Sequence, residues 1–190
     1  ATAERQIPIY LAVSQPGLLR LSGEKCDGAI LMGAADPEFV TWQLDYIYQG
    51  LEKGGRDRAD IVIDLVVTMS AEDDEQQALA DVRAWATSQA ATFDVWKRMP
   101  AWERFRPEFT AANSGYHLVD HLSRHAGHKQ VVSDEFVKSV ALAGSAAHCV
   151  ARLKELCALD VDRITFALLS GGRLRRMEQI ATQIIPAVNA

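Results

Sequence analysis

Ser14-Gln15-Pro16-Gly17 ends a short apolar run and leads into a helical pattern. A polar turn between a strand and a helix presents the unpaired N–H groups of the helix N-terminus, with a hydroxyl beside them, and such a corner can hold a phosphate. Ser14 can equally serve as the cap of that helix. A second corner, Met32-Gly33-Ala34, ends the next apolar run. On a barrel it would lie on the rim where active sites sit; otherwise Gly33 supplies an unusual backbone angle in an ordinary turn. Ser170-Gly171-Gly172-Arg173, with Arg175 and Arg176, forms a third corner able to bind an anion. The bland reading, a solvated basic turn pairing with Glu178, is preferred there.

His117, His121, His125 and His128 form a line whose spacing of four puts three imidazoles on one helix face, as zinc sites require. Asp120 is the one acid beside them, so a surface or substrate-loop role is expected and no metal. Trp42 and Trp85 sit at helical core spacing. Trp96 and Trp102 flank Met99-Pro100 and would cover either a cofactor or an apolar edge.

The elements that must position these corners alternate. Residues 7–13, 29–32, 61–69 and 162–169 are short apolar runs of the kind buried on both faces of a parallel sheet. Helical patterns follow each: one through Leu18, Leu19 and Leu21, one opened by Asp36-Pro37-Glu38 and closed by Gly54-Gly55, and one capped by Ser70 with Asp73. Ser133-Asp134-Glu135 and Gly144-Ser145 start further helices, and a last one ends near Pro186. Residues 93–130 break the rhythm with aromatics, proline and histidine, and read as a helical excursion before the last strand. The fold class is α/β, with four parallel βα units in one domain spanning residues 1–190. Strand–helix alternation demands parallel pairing through right-handed crossovers.

The bulk numbers narrow the function. A chain of 190 residues with net charge −5 and a pI near 5.5 carries no basic stripe, which excludes a general nucleic-acid or anionic-membrane binder. Cys26, Cys149 and Cys157 lack metal-type spacing and read as reduced thiols of a cytoplasmic protein.

Pro8-Ile9-Tyr10-Leu11-Ala12-Val13-Ser14-Gln15-Pro16, then Ser22-Gly23-Glu24, then Asp27-Gly28-Ala29-Ile30 resembles the strand-five to strand-six stretch of luciferase-like oxidoreductases. Gly55-Arg56-Asp57, Gly144-Ser145, Leu153-Lys154-Glu155-Leu156, Asp160-Val161-Asp162 and Ile185-Pro186 are similar to later segments of the same family. Ser114-Gly115-Tyr116 and His121 are closest to its methylene-tetrahydromethanopterin reductase branch. Gln15 stands where the family usually has glycine, and Gly17 where a lysine or arginine is common.

The resemblance implies that the four units are strands five to eight of a (β/α)₈ barrel. It also implies a cofactor, coenzyme F420 or FMN, against Ala12, Val13, Ser14, Gln15, Met32 and Gly33, with hydride transfer to or from a small organic substrate, by reductase or monooxygenase chemistry. The substrate-activating residues of the family lie mostly in the first four strands. Four strands cannot close such a barrel, so a homodimer or association with an N-terminal half-barrel is expected, and the isolated chain is expected to be inactive. A non-catalytic truncated-barrel flavin-binding or scaffold protein is the alternative. Alternation alone also permits a small flavodoxin-like doubly wound domain.

Overall fold

The computed structural model describes residues 7–92, 99–115, 131–169 and 171–190. Strands β1 (Tyr10–Val13), β2 (Gly28–Leu31), β3 (Val62–Ala71), β4 (Leu142–Gly144) and β5 (Arg163–Ala167) form one parallel sheet. Helices α1 (Pro16–Lys25), α2 (Pro37–Gly54), α3 (Glu75–Thr92), α4 (Arg106–Gly115), α5 (Asp134–Val140), α6 (Ala146–Cys157), α7 (Arg173–Gln179) and α8 (Ile185–Val188) connect and cover it.

The winding is sequential. β1 pairs β2 and β2 pairs β3. Val62 donates its N–H to Asp27 on one edge of β3, while Ile63 accepts from Asp162 on the other, so β5 lies opposite β2. Right-handed crossovers that always step in one direction put every connecting helix on the same face. A doubly wound sheet reverses direction and covers both faces, so the flavodoxin-like arrangement is excluded.

Side-chain alternation records the same asymmetry. Val13, Ala29, Leu31, Ile63, Leu65 and Val67 point to one face and are buried against α2 and α6. The opposite, concave face carries Tyr10, Ala12, Ile30, Val66, Arg163 and Thr165, of which Ala12, Arg163 and Thr165 are exposed. Gly28 sits on that face because a Cβ there would lie 2.1 Å from the Tyr10 ring.

The strand count rises from the expected four to five. β4 is three residues of Leu-Ala-Gly with no strand signature of their own. It forms because β3 runs past the end of β2, leaving Met69, Ser70 and Ala71 free to pair with it. The excursion also starts earlier than the break in sequence rhythm. α3 packs through Ala78, Leu79, Val82 and Ala86 into a second core with Trp102, Phe105, Phe109 and Phe136, and it is α6 that covers the sheet. Trp102 is therefore a packing residue, edge-on to Phe39 and Phe136. Trp96 and the four clustered histidines lie outside the described residues.

Caps follow the sequence in part. Asp36 accepts from the Phe39 N–H at 2.9 Å and Ser133 from that of Phe136 at 3.2 Å. Ser70 does not cap α3: it is the penultimate residue of β3, and Asp74 accepts from Gln76 and Gln77 at the helix start instead. Among the described residues no helix is long and apolar enough to cross a membrane.

Candidate functional site

The C-terminal ends of the strands form a rim, and the two corners singled out in the sequence meet there. Ala12 pairs with Ile30 and Val13 with Leu31, and the Met32 N–H donates to the Val13 carbonyl at 3.1 Å. The six predicted residues thus form one continuous patch. Their side chains divide: Ala12 is exposed, Ser14 buried, Gln15 and Met32 half-buried. Val13 is buried in the core on the convex side and offers the rim only its backbone. Gly33 is buried at φ 141°, and a Cβ on it would lie 2.5 Å from the Phe39 ring. That makes glycine obligatory at this turn.

The cap of α1 is Gln15, not Ser14, and its side chain makes no capping hydrogen bond. Pro16 at the first position has no N–H to lose, and beyond it Gly17 is exposed, with nothing within 4 Å of a Cβ built on it. The corner offers neutral donors. Arg20, the first cation along α1, is committed to Gln49 at 2.9 Å and lies over the Tyr46 ring.

The last corner differs from its sequence reading. Arg176 is 5% exposed, far from a solvated turn. Its guanidinium donates to Ser70 Oγ at 2.7 Å, Glu72 Oε1 at 2.8 Å and Asp81 Oδ2 at 2.5 Å, and Arg175 pairs with Glu72 as well. Ser70 itself donates to Asp81 at 2.9 Å. Loops after the last two strands of barrels often bind phosphate; here protein carboxylates already occupy the arginines. Sequence reasoning missed this network because its partners are about a hundred residues apart, beyond any local pattern.

Polar groups below the rim were also missed. Thr68 is fully buried, and its hydroxyl has no hydrogen-bond partner. Asp64 accepts from Thr165 at 2.9 Å on the concave face, with Arg163 at 3.7 Å. Gln43 of α2 donates to the Met32 carbonyl at 3.0 Å. Two hollows lie off the rim: one of about 260 Å³ on the convex side among Leu153, Ile164, Phe166, Ile184 and Val188, and one of about 510 Å³ beside Trp42, Met99 and Pro100. Among the described residues no group of three or more His, Cys, Asp or Glu side chains could hold a metal ion.

Known proteins share this layout. The profile of the family described as luciferase-like monooxygenase matches residues 1–163. The chain belongs to that family.

Among curated family members, an F420-dependent glucose-6-phosphate dehydrogenase of Microbacterium testaceum is 37% identical over 84 residues, 44% of this chain and 25% of that protein. A protein of the same description from Mycobacterium leprae is 31% identical over 84 residues, again 44% of this chain and 25% of its own length. Among solved structures, the coenzyme F420-dependent tetrahydromethanopterin reductase of Methanopyrus kandleri superposes with a TM-score of 0.76 at 18% identity, over 95% of this chain and 50% of that one. An F420-dependent secondary alcohol dehydrogenase in complex with an F420-acetone adduct gives 0.68 at 14% identity, over 97% and 50%. At such identities the likeness is one of fold. The chain thus spans about half the length of the solved family structures, and its matched stretch a quarter of the curated relatives.

Proposed function

We propose that this chain forms strands five to eight of a (β/α)₈ barrel whose whole transfers a hydride between a small organic substrate and coenzyme F420 or FMN, in the branch resembling methylene-tetrahydromethanopterin reductases. In this numbering β1, β2, β3 and β5 are the barrel strands, and β4 belongs to the excursion. The observation that carries the proposal is the one-sided helix layer: among the described residues a sequentially wound parallel sheet leaves a concave face and two unpaired edges, at β1 and β5, for four further strands. The F420 dependence of the similar glucose-6-phosphate dehydrogenases, tetrahydromethanopterin reductase and secondary alcohol dehydrogenase supports F420 as the first cofactor to try.

The residues present fit such a group. Ala12 is small and exposed on the concave face, which leaves room for a flat ring above it. Ser14, with the free N–H groups of Gly17 and Leu18 at the start of α1, gives a neutral phosphate corner. Met32 and Gly33 complete the wall beside Val13 and Gln15. When bound, the cofactor supplies the hydride chemistry, while the protein binds and orients it. The family's acid–base residues would come from the other half, so the chain alone is inactive and works with an N-terminal half-barrel or a second copy of itself.

One observation favours the alternative, a non-catalytic flavin-binding or scaffold protein. The strongest charge cluster on the rim neutralises itself: Arg175 and Arg176 against Glu72 and Asp81. Replacing Ala12 by tryptophan, which fills the concave face, separates both readings from a protein that binds no cofactor. Fluorescence titration with F420 and FMN should show binding to the assembled protein that the A12W variant loses. Equal binding by the variant would move the cofactor away from this wall.

A further inference from the structure

The turn from β2 to α2 is held from several directions at once. The Met32 N–H is taken by the Val13 carbonyl at 3.1 Å, and the Met32 carbonyl by Gln43 Nε2 at 3.0 Å. Three residues on, the Ala35 N–H donates to the Val140 carbonyl at 3.1 Å, and the Ala35 carbonyl accepts from Arg152 at 2.7 Å. Between them Gly33 rests against the Phe39 ring. Phe39 and Gln43 lie one turn apart on one face of α2.

Gln43 is the unexpected member. It is fully buried among Phe39, Val40, Leu44 and Ile47, and its Oε1 has no hydrogen-bond partner. An amide with an unpartnered oxygen is a poor choice for packing alone, since a buried polar atom without a partner costs free energy that leucine or methionine would not. What the amide does and an apolar chain cannot is fix the orientation of the Met32 peptide. The Met32 side chain carried by that peptide is half-buried at the end of β2.

We propose that Gln43 is a positioning residue for the cofactor wall, acting through Met32. The proposal rests on the reading that Met32 and Gly33 face the cofactor. A wall of this kind works only if held within a fraction of an ångström by supporting groups.

The test compares wild type with Gln43→Met, which keeps the length and packing but cannot donate, and with Gln43→Leu as a second apolar variant. Dissociation constants for F420 and FMN, the emission spectrum of the bound cofactor and the thermal midpoint are measured together, below the unfolding range. The expected result is affinity weakened by about tenfold with a shifted emission spectrum and a midpoint close to wild type. Unchanged affinity and spectrum in a folded variant would overturn the proposal, as would loss of the fold in both, which makes the amide purely structural. Failure of wild type to bind either cofactor would instead overturn the reading of the wall itself.

Discussion

Arg176 on α7 donates to Asp81 on α3 at 2.5 Å, both side chains about 95% buried, and so ties α7 to the first helix of the excursion. Ser70 and Glu72 at the end of β3 share the same guanidinium. The rim is thereby closed on one side by a polar knot of four side chains.

Removing the cation from that knot leaves two inward-facing carboxylates without it. Arg176→Met is expected to lower the unfolding free energy by about 3–5 kcal/mol, read from urea denaturation. A loss below about 1 kcal/mol, the size of a surface pair, would mean the network is dispensable.

Thr68→Val should act in the opposite direction. The hydroxyl is buried without a partner, and valine has nearly the same shape. Deleting an unsatisfied polar atom is expected to leave stability unchanged or raise it by about 1 kcal/mol. A clear loss would show that the hydroxyl has a partner.

Gly33→Ala is expected to cost about 1–3 kcal/mol, because alanine at φ 141° is strained and its methyl would meet the Phe39 ring at 2.5 Å. Coupling between G33A and Phe39→Leu in a double-mutant cycle would separate the clash from the backbone strain. Full additivity would assign all of the cost to the backbone.

The phenol of Tyr48 contributes stability that is lost at alkaline pH. Burial, together with the hydrogen bond to Asp160 at 2.6 Å, pushes its pKa from 10.0 to about 12. A folded value above the unfolded one means this contribution is fully present below pH 10 and is lost as pH rises through about 12. The same bond and Arg58 hold Asp160 below the usual carboxylate range, so its contribution is lost on the acid side. Tyr48→Phe should flatten the alkaline limb of stability against pH; an unchanged limb would remove Tyr48 as its cause.

The sequence carried β1, β2, β3 and β5 clearly, because an unbroken apolar run such as Ile61-Val62-Ile63 has few other uses, and it marked Asp36, Gly55 and Ser133 as helix boundaries through their local chemistry. It placed Ala12–Gln15 and Met32–Gly33 at strand ends, and the fold then joins them through the Val13–Met32 bond. What it could not show depends on distant partners. Leu142-Ala143-Gly144 becomes a strand only because β3 overhangs β2, and Arg176 is buried only because Glu72 at the end of β3 and Asp81 on α3 meet it. Gln43 looks like any polar position of an amphipathic helix until Met32 is placed beside it.

Fluorescence titration of F420 and FMN against the chain, alone and joined with a polypeptide that supplies four further strands, decides whether the β1–β2 rim is the cofactor wall of a half-barrel. Binding by the joined protein, reduced by A12W, is the predicted result. A folded, assembled barrel that leaves the emission of both cofactors unchanged at every concentration would contradict it.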